Sequence, residues 1–273
     1  MTVSAFAALS VDMYRQTEPE VFTSGLFFMP VFDKIPIIGG VSEISAWEAI
    51  RGRFDFTALL SILLSVIPSL VCITLHELSH GLTAYLLGDD TAKRAGRLTL
   101  NPIKHLDLLG LVMMVVAHVG WAKPVPVNMM NFKNPKRGMA LTSLAGPLSN
   151  VLITCVFFFL YGLLYLPLTI KGSAAGDYLL QMIQLTAVIS MGYAVFNLIP
   201  IPPLDGSKVL FSLVSDRAYY QLMRYERYGM ILLYALVFTN LLGAPLHTAI
   251  SFLADKFFVF AQWGFALASR LYV

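Results

Sequence analysis

His76, Glu77 and His80 stand in the stretch ITLHELSHGL, residues 73–82, within one of the most apolar parts of the chain. Histidines four residues apart share one face of a helix, a turn from each other. Two imidazoles so placed can bind one zinc ion, and the adjacent Glu77 can reach a water on that metal as general base. The alternative is a helix that carries these side chains for structural reasons alone. A charge at the centre of a membrane segment costs about 2.5–3.5 kcal/mol on insertion scales, which favours a functional reading.

Two histidines leave a catalytic zinc site short, because such a site usually has three protein ligands and a water. No further histidine follows at close spacing; His105, His118, His247 and several acids remain as candidates. Asp205 stands out among them. It lies in NLIPIPPLDG, residues 197–206, which interrupts an apolar run with Pro200, Pro202 and Pro203. Prolines lack a backbone donor and cannot continue a regular helix. Irregular backbone at membrane depth is tolerated only where protein buries it or where it lines a watery cavity. A carboxylate at such a break matches a half-site that needs one more ligand. Read alone, the same stretch is a surface turn with Asp205 capping the next helix.

These residues need a scaffold, and the composition says which kind. The 273 residues are 57% hydrophobic and 13% charged, with a mean hydropathy of +0.72. Soluble domains carry about a quarter charged residues, so the class is integral membrane protein. A net charge of +3 is too small to argue for nucleic acid. Cys72 and Cys155 fall in apolar segments and read as small core residues rather than a disulfide framework. The N-terminus lacks the basic start and long apolar core of a signal peptide, and no internal repeat is visible.

Apolar runs predict spans over 57–87, 139–166, 178–199 and 230–246, each near the length of about 20 residues that a crossing needs. Pro68 is expected to kink the first. Residues 246–271 read as a fifth span or an interfacial amphipathic helix. Residues 106–120 are apolar but short, flanked by Lys93, Arg94, Arg97 and Lys104 before and Lys123, Lys133, Lys136 and Arg137 after. Since Lys and Arg collect on the cytoplasmic side, this segment is expected to dip into the membrane and return. Residues 1–56, with four basic and seven acidic side chains, are read as an extracytoplasmic or interfacial extension. Residues 167–177 are expected outside and 211–227 inside. In GRLTLNP, residues 96–102, Arg97 and Thr99 alternate with Leu98 and Leu100, the period of a half-buried strand. Its edge could pair with an extended substrate; the plainer alternative is a cytoplasmic hairpin.

HELSH together with NLIPIPPLDG resembles the site-2 protease family of intramembrane zinc metalloproteases, in its compact prokaryotic form. The resemblance continues through residues 88–110, GWAKPVPVN (120–128), NPKRGMALTSLAGPLSN (134–150) and YERYGM (225–230), and so covers about residues 57–245. It implies an all-α polytopic membrane protein with about 4–6 transmembrane helices around a zinc site, and a short β or re-entrant element after the first helix. It implies His76, His80 and Asp205 as ligands of one zinc ion and Glu77 as catalytic base. Asn197 matches an asparagine thought to bind substrate or stabilise the oxyanion. The expected substrate is a membrane protein with a transmembrane helix, cut within or near that helix in the lipid bilayer. The expected place is the prokaryotic cytoplasmic membrane, multi-pass, with the site toward the cytoplasm. The extension 1–56 has no match in the pattern, and no PDZ or CBS domain is expected; the core is 57–245 and the C-terminal helix 246–273.

A metal transporter, a sensor or an inert helix-binding scaffold would use the same ligands without hydrolysis. Transporters tend to show repeated halves with breaks in corresponding positions, whereas this chain has one break. Glu77 also has no evident role in transport. The small residues of LAGPLSN, residues 144–150, read as a close helix contact, although Asn150 could hydrogen-bond near the site. Tyr219, Tyr220, Tyr225 and Tyr228 read as an interfacial aromatic belt.

Overall fold

The computed structural model describes residues 56–107, 122–239 and 241–272. The extension before residue 56, most of the dipping segment 106–120, and His118 with it, lie outside the described residues. Those described form a bundle of helices. Helix α1 spans Phe56–Leu86, α2 Thr91–Arg94, α3 Pro135–Lys171 and α4 Ala174–Asn197. Then come α5 Asp205–Phe211, α6 Asp216–Arg224, α7 Glu226–Phe238, α8 Gly243–Phe257 and α9 Val259–Tyr272.

Three stretches are long and apolar enough to cross a membrane: α3, α4 and the consecutive α8–α9 from Gly243 to Tyr272. The first apolar run forms helix α1, whose 31 residues include Pro68; at 1.5 Å per residue it is about 46 Å long. The expected span over 230–246 is corrected. Helix α7 ends at Phe238 after 13 residues, about 20 Å, and α8 starts afresh at Gly243. Residues 167–177, expected outside, are mostly helical. Helix α3 continues through Pro167 to Lys171, as membrane helices can when neighbours cover the freed carbonyl. Only Gly172, left-handed at φ 57°, and the capping Ser173 separate α3 from α4.

The apolar core joins α3, α4, α8 and α9 through Phe158, Tyr161, Ile183, Ala187, Ala254, Phe258 and Phe265. On the opposite side of α3, Leu141, Leu148, Leu152 and Val156 form an exposed apolar stripe, as a lipid-facing surface would. Helix α9 approaches α3 closely at two glycines. A Cβ on Gly162 would lie 1.8 Å from the Ala261 carbonyl oxygen, and one on Gly264 would lie 2.1 Å from that of Phe159. Both obstacles are backbone, so Gly264→Ala is expected to push the helices apart and lower stability by about 1–3 kcal/mol. Gly192→Ala, whose Cβ would meet nothing closer than 3.8 Å, is the control expected to hold or gain stability. Thermal unfolding in detergent distinguishes the two.

No strand occurs among the described residues, which corrects the reading of 96–102; the segment is a series of bends. Arg97 is buried and its guanidinium donates to the carbonyls of Lys104, Lys123 and Pro124. Those carbonyls flank a neck where the chain leaves and returns. Lys123 N–H donates to His105 O at 2.9 Å, and Leu106 and Ala122 form a single antiparallel bridge. The buried His105 fixes the same neck through its Nε2 and the Thr99 carbonyl, 2.9 Å apart. Leu106 and Ala122, on either side of residues 107–121, are thus side by side.

A second clamp holds the returning chain to the end of α1. The buried Asp89 carboxylate accepts from Asn128 N–H at 2.6 Å, Asn131 Nδ2 at 2.7 Å and Thr91 N–H at 3.1 Å. Burial raises the Asp89 pKa, but the hydrogen bonds from Thr91, Asn128 and Asn131 outweigh it and hold the carboxyl below its usual value. The native pKa is therefore lower than the unfolded one, so this stabilisation is complete at neutral pH and is lost as pH falls through the native value. Asp89→Asn is expected to unfold more readily at pH 7, with the difference from wild type shrinking below about pH 4 in acid-unfolding curves.

Candidate metal centre

Helix α1 packs against α3 and α4, and α5 packs against α3. His76 and His80 sit about 15 and 9 Å before the end of α1 at the helical rise. Asp205 opens α5 after the proline-broken stretch 198–204. This stretch is seated tightly: a Cβ on Gly206 would lie 2.2 Å from Leu198 O, and one on Gly229 would lie 2.4 Å from Pro202 O. Two glycines let backbone close over the prolines and fix where Asp205 points.

His76, His80 and Asp205 are all buried, and their donor atoms lie within 4.8 Å of one another. His76 Nε2 is 3.1 Å from Asp205 Oδ2, His80 Nε2 is 3.2 Å from the same oxygen, and the two Nε2 atoms are 3.0 Å apart. Donors bonded to zinc at about 2.0–2.1 Å in a tetrahedron stand about 3.3 Å from each other. Two imidazoles and a carboxylate also match the donor chemistry of catalytic zinc. The residues present fit the metal.

Neighbouring groups orient the imidazoles. His80 Nδ1 faces the Thr142 carbonyl at 2.7 Å; a carbonyl only accepts, so Nδ1 carries the proton and Nε2 presents its lone pair. His76 Nδ1 meets the Asn150 amide at 3.2 Å. Gly146 leaves the slot that both rings fill: its Cβ would fall 2.5 Å from His80 Nε2 and 2.6 Å from His76 Cε1. The sequence reads Gly146 as part of a close helix contact and Asn150 as able to hydrogen-bond near the site; the structure puts both against the ligand rings. The signal available was a polar side chain one turn after a glycine in an apolar helix.

Glu77, beside His76 on α1, is partly buried and accepts from Val125 N–H through Oε2 at 3.0 Å. Pro124 and Pro126 flank Val125, so it holds the single amide N–H in that triplet. The Arg97 and Asp89 clamps on either side hold this stretch in register with α1. Asn197 ends α4 and turns its Nδ2 to the Tyr193 carbonyl at 3.0 Å; it is not hydrogen-bonded to the three donors. His105 and His247 stand apart from the cluster, the first at the neck and the second on α8. Of the four tyrosines read as a belt, Tyr220, Tyr225 and Tyr228 are exposed, whereas Tyr219 is fully buried.

A family model for peptidase family M50 matches residues 166–242. A candidate zinc metalloprotease of Bacillus subtilis, YwhC, is 42% identical over 176 residues, 64% of this chain and 80% of the relative. The chain belongs to peptidase family M50. Candidate zinc metalloproteases named Rip2 are also similar. That of Mycolicibacterium smegmatis is 27% identical over 78% of this chain and 82% of its own length. That of Mycobacterium tuberculosis is 35% identical over 52% and 53%. No solved structure matches. M50 membership and these names imply zinc as the cofactor, in accord with the donor set described above.

Proposed function

We propose that this M50 protein is an intramembrane zinc metalloprotease that hydrolyses peptide bonds within or near transmembrane helices of other membrane proteins. The observation that carries the reading is the convergence of two histidines and an aspartate, 129 residues apart in sequence, beside a glutamate in a helical membrane protein. His76, His80 and Asp205 are the proposed holders of the metal. Zinc supplies Lewis acidity, bringing water toward a pKa of about 7 and polarising a carbonyl.

The remaining work belongs to side chains of this protein. Val125 N–H keeps Glu77 Oε2 in place, so Oε1 is the oxygen that takes a proton from the attacking water and later returns it to the departing amine. Asn197 offers its second Nδ2 N–H to substrate or to a developing oxyanion. The exposed stripe on α3 meets lipid. Lys93, Arg94, Lys104 and Lys123 lie past the end of α1 nearest the site, and Lys136 and Arg137 stand in the first turn of α3, which supports a site toward the cytoplasm. On this reading the protein is a multi-pass component of a prokaryotic cell membrane and acts in regulated intramembrane proteolysis.

Metal removal tests the proposal. Purified protein in detergent or lipid, given single-span membrane proteins as substrates, is expected to lose cleavage with a zinc chelator and regain it with about one equivalent of zinc. Cleavage that persists after the metal is gone would refute it.

A further inference from the structure

The two imidazoles are oriented by unlike partners. His80 Nδ1 faces a backbone carbonyl, which fixes one tautomer in every state of the site. His76 Nδ1 faces a primary amide, which can donate or accept. With Asn150 Nδ2 toward the ring at 3.2 Å, Nδ2–H donates to Nδ1. The imidazole proton then sits on Nε2, where it faces Asp205 Oδ2, and that tautomer cannot ligate a metal. In the same arrangement Asn150 Oδ1 is buried without a partner. Half a turn of the amide about its Cβ–Cγ bond exchanges the two atoms. Oδ1 then accepts from Nδ1–H, and Nε2 is left with its lone pair.

Asn150 itself is anchored. It is fully buried, and its backbone carbonyl accepts from Thr154 Oγ1 at 3.0 Å and Ser190 Oγ at 2.9 Å. Thr154 Oγ1 also reaches Ala187 O at 3.1 Å. These bonds tie α3 to α4 at this level through the Asn150 backbone and do not use its side-chain amide.

We propose that Asn150 is a positioning residue of the metal centre: its amide turns when metal binds, so that Oδ1 accepts from His76 Nδ1–H and keeps Nε2 aimed at the ion. Partners of this kind on ligating histidines are worth about 10–100-fold in metal affinity. The inference rests on the reading of His76, His80 and Asp205 as zinc ligands.

Zinc dissociation constants of the purified full-length protein, measured by chelator competition, test it. Asn150→Leu keeps the volume and removes both polar atoms; zinc is expected to bind about 10–100-fold more weakly. Asn150→Asp supplies only acceptors and is expected to bind zinc at least as tightly as wild type. Should Asn150→Leu not fold, Asn150→Ala takes its place with the same expectation. A purely structural role reverses the pattern, because Leu would be tolerated and a buried carboxylate would not. Wild-type affinity in Asn150→Leu or Asn150→Ala, or a loss in Asn150→Asp equal to theirs, overturns the proposal while the ligand set stands. A wild-type protein that binds no zinc overturns both.

Discussion

Replacing Glu77 with glutamine is expected to abolish peptide hydrolysis while leaving zinc content near one ion per chain. The amide keeps the shape and one acceptor oxygen for Val125 N–H, at present 3.0 Å from Oε2, so the fold around the site has no reason to change. What disappears is an oxygen basic enough to take a proton. General-base removal alone costs about 10²- to 10⁴-fold. Glu77→Gln is therefore the inactive variant that retains substrate and metal. Residual cleavage equal to wild type would remove Glu77 from the mechanism. Loss of zinc with loss of cleavage would make it a ligand instead.

Gly146→Ala is expected to empty the metal centre through sterics alone. The added Cβ falls 2.5 Å from His80 Cε1 and Nε2 and 2.6 Å from His76 Cε1, closer than such atoms come in real structures. His80 is held from its other side by the Thr142 carbonyl and His76 by Asn150, so neither ring can retreat without breaking its orienting bond. Zinc is expected to fall to the level of Asp205→Ala, which removes a donor outright, with cleavage lost in both. Metal analysis of the purified variants reads this directly. Normal zinc in Gly146→Ala would mean that the rings sit elsewhere when metal is bound. Gly192→Ala on α4, whose Cβ would make only ordinary contact with Ile250 at 3.8 Å, separates this effect from any general intolerance of alanine.

Much of the site could be read along the chain. The pair His76 and His80 follows from helical periodicity, and Asp205 from a proline-rich break where membrane helices seldom tolerate one. Gly146 reads as a packing residue and Asn150 as a polar group that could hydrogen-bond near the site, but the partner of Asn150 is 74 positions away, which spacing along one helix cannot reveal. Yet the cost of a buried polar group, the argument applied to His76, applied equally to Asn150. The strand expected over 96–102 failed for a different reason. The alternation is real in sequence, but the wrong residues turn inward: Arg97 is buried among three carbonyls while Leu100 is exposed. A guanidinium with enough acceptors can replace an apolar side chain in a small core, and a four-residue pattern carries no sign of that. The span expected over 139–166 is longer in the structure, since α3 runs on through Pro167 to Lys171.

Profiling of new N-termini in membranes of cells that express either the wild type or Glu77→Gln tests the central claim most directly, because it requires no substrate to be known in advance. The expected termini depend on the wild-type protein, disappear with Glu77→Gln, and map within or next to transmembrane segments of other membrane proteins. Identical termini in the two strains, or wild-type-dependent termini confined to soluble domains, would contradict it.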